Sequence, residues 1–157
     1  MWVGIIKLTN KIDFAGVEPG SWVRLLVCSE TFSPDKITTH LGVVPTETYV
    51  KGTTRNLRRH GKVVHKTHNW EFQPTPGGAG FLGRKLAFLA DSITGYECQF
   101  ASLPPSCVVE VSITSWCWED WAQGFRFSKQ IVALAAAIGA YIDIDLYSVG
   151  PELPPDP

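Results

Sequence analysis

Ser128-Lys129-Gln130-Ile131-Val132-Ala133-Leu134-Ala135-Ala136-Ala137-Ile138-Gly139-Ala140-Tyr141-Ile142-Asp143-Ile144-Asp145-Leu146-Tyr147 reads as a helix running at once into a strand. Ser128 stands where an N-cap oxygen is wanted, and Gly139 supplies the left-handed stop. From Tyr141 the period changes to two: Ile142, Ile144 and Leu146 point one way, Tyr141, Asp143, Asp145 and Tyr147 the other. Cys107 to Ser115 alternates in the same manner, with Val109, Val111 and Ile113 inward and Glu110, Ser112 and Thr114 outward. An earlier copy of this strand-then-helix unit runs from Val23 to Ser29, then from Ser33-Pro34-Asp35 to Leu41-Gly42. Two such units in one sheet make a small α+β layer. The helix after Ser128 is apolar nearly all round, which predicts heavy burial.

Outward from these units, Leu82, Leu86, Leu89 and Ile93 form one stripe of a helix expected from about Phe81 to Ile93. Asn69 to Gln73 reads as a strand and Val63-Val64 as a brief one, inside an otherwise irregular stretch after Gly42. Pro74 to Gly80 reads as a linker and Tyr96 to Ser106 as a loop. The order β-α-β-α-β-α-β, with strands that alternate, predicts a sheet covered on one side only. The expected fold is a ferredoxin-like βαβ(α)βαβ sandwich of the α+β class, its sheet mostly antiparallel and its helices on one face. A single domain is expected over residues 1–150, with the first 21 residues an extra strand or arm and 151–157 a Pro-rich tail.

Hydrophobic residues make up 45% of the chain and charged residues 18%, which fits a globular chain and excludes a disordered one. Cys28, Cys98, Cys107 and Cys117 form no C-x-x-C pair, so reduced thiols are expected. No secretory segment and no membrane-crossing apolar run is visible, so the expectation is a cytoplasmic protein without a membrane partner. The net charge of −1 conceals a division. Residues 1–90 carry twelve Lys/Arg against six Asp/Glu, and residues 91–157 carry two against nine.

The basic excess gathers in Lys51, Arg55, Arg58, Arg59, Lys62 and Lys66, with no acid between Glu47 and Glu71. Such a run is either a solvated loop or an anion-binding segment for phosphate or nucleic acid. Asp143 and Asp145 share a strand face about 6–7 Å apart, close enough for acid–base work, yet equally able to stay solvated or pair with cations. Trp116, Trp118 and Trp121 crowd one segment with Phe125 and Phe127, as core packing or as a partner-binding anchor. Gly78 and Gly83 have phosphate-loop spacing, but Arg84-Lys85 follows where Lys and a hydroxyl are required. His65 and His68 lack flanking ligands at metal spacing, so no metal and no cofactor is expected.

Ser33-Pro34-Asp35-Lys36-Ile37-Thr38 to Leu41-Gly42, then Pro45-Thr46, Lys51-Gly52 and Asn69-Trp70-Glu71, form an ordered set of motifs. Ile138-Gly139-Ala140 with Asp143-Ile144-Asp145-Leu146-Tyr147 completes it. Together they resemble an uncharacterised bacterial family, domain of unknown function 4279, across roughly residues 22–148. The resemblance implies a compact α+β domain with no established activity, and an association with immunity-type or partner-binding proteins.

No complete catalytic motif is present, so the reading leans against an enzyme. The expectation is a binding domain for a protein partner, using Trp116, Trp118, Trp121, Asp143 and Asp145. The alternatives are an anion or nucleic-acid binder through Lys51, Arg55, Arg58, Arg59 and Lys62, and a hydrolase using Asp143 and Asp145 with a histidine. The oligomeric state is not legible.

Overall fold

The computed structural model describes residues 20–57, 61–74, 81–118 and 125–149. Its elements are β1 (Gly20–Ser29), α1 (Pro34–Leu41), β2 (Glu47–Tyr49), β3 (Thr54–Leu57), β4 (Gly61–Val64), β5 (His68–Phe72), α2 (Leu82–Ile93), α3 (Glu97–Ala101), β6 (Cys107–Trp118), α4 (Lys129–Ala137) and β7 (Tyr141–Val149). The fold is α+β. Both helix boundaries that carry the duplication fall where serine and glycine place them. Pro34 starts α1, and Gly42, at φ 69°, closes it with its N–H donating to the Thr38 carbonyl. Ser128 caps α4, its hydroxyl accepting from Ile131 N, and Gly139 follows at φ 64°. Glycine suits both closing positions because a Cβ disfavours positive φ.

Five strands form one sheet in the order β2-β5-β1-β6-β7, and β3 and β4 form a separate hairpin. β1 pairs antiparallel with both β5 and β6, β2 pairs antiparallel with β5, and β6 and β7 are parallel. The sheet is therefore mixed but mostly antiparallel. This order does not confirm the ferredoxin-like arrangement. The central strands β1 and β6 oppose each other in direction, and β7 lies directly beside β6, where the short α4–β7 connection delivers it.

Val23, Leu25 and Val27 of β1 and Val109, Val111 and Ile113 of β6 point to one face, all buried. The helices cover that face: α1 packs on β5, α2 on β1 and α4, and α3 on α1 and α4. Ile37 and Leu41, four apart on α1, enter the same core as Leu86, Leu89 and Ile93 of α2. Fully burying an aliphatic side chain of this size contributes about 1.5–3 kcal/mol, so these rows hold the layers together. Trp70 of β5 is fully buried, packs edge-on to Phe100 of α3 and donates from Nε1 to Thr38 Oγ1 at 3.1 Å. That bond lets an indole N–H enter the core satisfied.

Five details depart from the sequence reading. α4 buries Ile131, Leu134, Ala135 and Ile138 but exposes Val132, Ala133, Ala136 and Ala137. Only one layer lies beneath the helix, and alanine adds little apolar area to the outer side. Leu146, read as inward, is 58% exposed, since β7 ends the sheet. The stretch after Gly42 holds β2 and β3 besides the brief strand at Val63-Val64, and Tyr96 to Ser106 holds α3. Gly20 and Ser21, read as the end of an arm, begin β1, while residues 1–19 of that arm, residues 75–80 of the linker and the Pro-rich tail lie outside the described residues.

Candidate functional site

The face of the sheet opposite the helices is where polar side chains collect. Register fixes the rows. Glu47 pairs with Glu71, Glu71 with Leu26, Leu26 with Glu110, and Glu110 with Tyr141. Beside that row, Arg24 pairs with Ser112 and Ser112 with Asp143; then Trp22 pairs with Thr114 and Thr114 with Asp145. Glu47, Glu71, Glu110, Asp143 and Asp145 therefore share one face with the guanidinium of Arg24, and Arg55, over the Tyr49 ring at the β2 end, is near enough to act on Glu71. Neighbouring strands lie about 4.8 Å apart and rows about 6.8 Å, so Glu71 on β5 and Asp143 on β7, three strands and one row away, are about 16 Å from each other.

Arg24 Nη1 donates to Glu71 Oε2 at 3.5 Å, while Arg24 Nε is buried without a hydrogen-bond partner among the described residues. Burial pushes the Glu71 carboxyl above the usual carboxylate range, and Arg24 only partly offsets it. Burial also raises Glu110, with the negative charges of Asp143 and Asp145 adding to the shift. Asp143 and Asp145 themselves are exposed. Among the described residues the ion pairs are Arg24–Glu71 and Lys51–Glu30, so neither aspartate is neutralised.

The tryptophans separate. Trp116 stands on this open face yet is buried, packed edge-on to Trp22 with ring centroids 5.7 Å apart. Trp22, 45% exposed, is the member of the pair that offers aromatic surface. Trp118 lies at the end of β6 opposite Val149. Trp121 lies outside the described residues.

The basic run folds as the β3–β4 hairpin and its flanks, at the sheet edge remote from β7. Lys51 pairs with Glu30 at 3.3 Å. Arg55 donates to the Tyr49 hydroxyl at 2.6 Å and lies 5.1 Å from that ring's centroid, and His65 stacks on Tyr49 at 4.4 Å. Desolvation first, and Glu47 next, raise the Tyr49 hydroxyl well above its usual range. Lys62 is exposed, and Arg58 and Arg59 lie outside the described residues.

The structure does not bring the described histidines to the aspartates. His65 and His68 sit at the hairpin, and His40 on α1 contacts the Gln99 carbonyl and Ser102 Oγ. An open groove on α1, about 370 Å³, is lined by Phe32, Asp35, Lys36, Thr39 and His40. No group of three or more His, Cys, Asp and Glu among the described residues is arranged to hold a metal ion. Cys28, Cys98 and Cys107 are free thiols, and no helix is long and apolar enough to cross a membrane.

Sequence reasoning turned Glu110, Ser112 and Thr114 outward on one strand and Asp143 and Asp145 outward on another, and the structure brings them together on one face with Arg24. It missed Glu71, Glu47 and Trp22. The signal for Glu71 was present, since alternation around buried Trp70 turns its neighbours outward.

The family model described as Domain of unknown function (DUF4279) matches residues 19–149. Neither curated protein sequences nor solved structures give a match.

Proposed function

The chain belongs to the DUF4279 family, and from that premise we propose that it is a non-enzymatic binding domain whose open sheet face recognises a basic protein partner. The observation that carries this reading is the gathering of five carboxylates on a face that none of the described helices covers, with Arg24 among them, Arg55 at the β2 end, and Asp143 and Asp145 exposed and in no ion pair among the described residues. Such a face attracts cations, steers a positively charged partner and disfavours acidic ones. Trp22 adds aromatic contact area beside the acids, with Trp116 beneath it and Trp118 and Trp121 further along the same segment of chain. A bacterial cytoplasmic immunity-type protein that occupies a basic toxin or enzyme is one role of this kind.

The test is affinity capture on the immobilised chain from nuclease-treated lysate, then calorimetry of the captured protein against wild type and Asp143→Asn/Asp145→Asn. A basic partner bound at least tenfold more weakly by the double variant supports the reading. Undiminished affinity overturns it.

The anion-binding reading draws on the exposure of Lys62 and on the hairpin's separation from the main sheet. It is the weaker one, because Lys51 and Arg55 are engaged within the chain. Its signature is nucleic-acid affinity that falls steeply from about 50 to about 200 mM salt.

A further inference from the structure

The sheet ends differently on its two sides. On one side the outermost strand is β2, three residues long, followed by the chain's own hairpin. On the other, β7 runs nine residues, and its one partner among the described residues is β6. In a parallel pair, alternate residues of the outer strand turn N–H and C=O groups away from their partner. β7 thus carries a row of backbone donors and acceptors toward its outer side, the template on which another strand pairs. Tyr141 is 70% exposed, Leu146 is 58% exposed, and Asp143 and Asp145 are exposed, so this stretch of the edge is accessible.

We propose that the edge of β7 takes up an extended segment of a partner protein as a sixth strand, one that alternates Lys or Arg with apolar residues. This deepens, and rests on, the reading of the open face given above. The sequence of β7 dictates the alternation. An added strand lies about 4.8 Å away, and its side chains follow the same period of two. Those on the open face stand beside Asp143 and Asp145, where lysine or arginine is attracted. Those on the helix face stand beside half-buried Ile142 and Ile144 and exposed Leu146, where an apolar side chain removes all three from water. Backbone hydrogen bonds supply affinity in strand addition, and alternate side chains supply selection.

The same charges argue against a second copy of this chain. Two β7 strands paired antiparallel about Ile144 set each Asp143 opposite the other copy's Asp145. Centring the pair on either aspartate opposes it to its own equivalent. Like charges directly opposite are destabilising, and charge on an edge strand is a common device against self-pairing. A basic segment converts that repulsion into attraction.

The test uses four synthetic octapeptides with the full chain: Lys-Val repeated four times, its block isomer of four Lys then four Val, and two alternating peptides N-methylated at every second residue, one in each phase. Fluorescence anisotropy reads affinity, and amide exchange reads residues 141–147. The alternating peptide is expected to bind at least tenfold more tightly than the block isomer and to slow exchange in 141–147. One N-methylated phase should lose binding, because it removes the N–H groups that face β7. Asp143→Asn/Asp145→Asn, checked for an unchanged melting temperature, should weaken binding about tenfold.

Equal affinity for the block isomer overturns strand addition, as does retention of binding by both N-methylated phases. If the captured partner still depends on Asp143 and Asp145 in either case, the open-face reading stands and only the edge is wrong. Loss of aspartate dependence in both experiments overturns the two together. A stable dimer by sedimentation, with protected amides at 141–147, overturns the heterologous occupant in favour of a second copy.

Discussion

The first βα unit, β1 with α1, and the second, β6 with α4, place the same residue types, serine and glycine, at the ends of their helices yet leave the sheet edges in opposite conditions. After α1 the chain spends residues 43–67 on β2 and the β3–β4 hairpin before β5 returns antiparallel to β1. After α4 it needs only Ile138 to Ala140 before β7 starts, parallel to β6. The long return fills its side of the sheet with extra strands and a basic run, of which Lys51 and Arg55 are engaged within the chain. The short return leaves a nine-residue strand with no outer partner among the described residues, and with two aspartates in no ion pair among them. Similar local signals thus yield one enclosed edge and one edge open among the described residues, and the proposed recognition uses the open one.

The contrast can be broken most visibly at the returning strands. Trp70→Ala in β5 removes a fully buried indole and its bond to Thr38, and is expected to cost about 3–5 kcal/mol in urea denaturation. Ile144→Ala in β7, half-buried at the open edge, should cost less than half as much. Equal losses would mean that β7 is as enclosed as β5.

The closing glycines should behave alike. Gly42→Ala and Gly139→Ala are each expected to cost about 1–2 kcal/mol, the penalty for an L residue in the left-handed region. An added Cβ meets nothing within 4 Å at either position, so packing adds no difference. Unequal costs would show that one of the two turns is held by something besides its backbone angle.

The opening serines should not. Ser128 Oγ accepts from Ile131 N at 3.3 Å, whereas Ser33 makes no side-chain cap bond. Ser128→Ala should lower stability by about 1 kcal/mol and Ser33→Ala by a few tenths, both read from the same denaturation series.

The smallest effect concerns the open face itself. Glu110 is raised above its ordinary value of 4.5 by burial, then by Asp143 and Asp145. Protonation is therefore favoured in the folded chain. The cost of the charged form is fully present above the folded value and is gone below 4.5. Glu110→Gln should raise the melting temperature at pH 7 and leave it unchanged at pH 4. Binding of a basic partner should follow the opposite course, weakening as acid neutralises the face.

Much of this was legible because the signals are local. Serine and glycine mark both unit helices, the Leu82 to Ile93 stripe marks α2, and the alternation of β6 and β7 puts Glu110, Asp143 and Asp145 on one face. What escaped depends on contacts distant in sequence. β2 has three residues and no apolar alternation, and β3 lies inside a run whose charge masks its pairing with β4. α3 is five residues held by Phe100 against Trp70. Strand order is absent from any single segment, which is why Glu47 and Glu71, distant in sequence from Asp143, were not seen to share its face. The heavy burial expected of α4 failed because periodicity reports apolar content, not the number of layers that cover a helix.

The most direct test of the open face is a 1H–15N NMR titration of the labelled chain with the alternating Lys-Val octapeptide. The account predicts shift changes at residues 110–114 and 141–147 at neutral pH, fading as the titration is repeated toward pH 4.5, while residues 54–57 and 61–64 of the hairpin stay unmoved. Changes confined to residues 51–66 or to the groove on α1, with β6 and β7 silent, would contradict it.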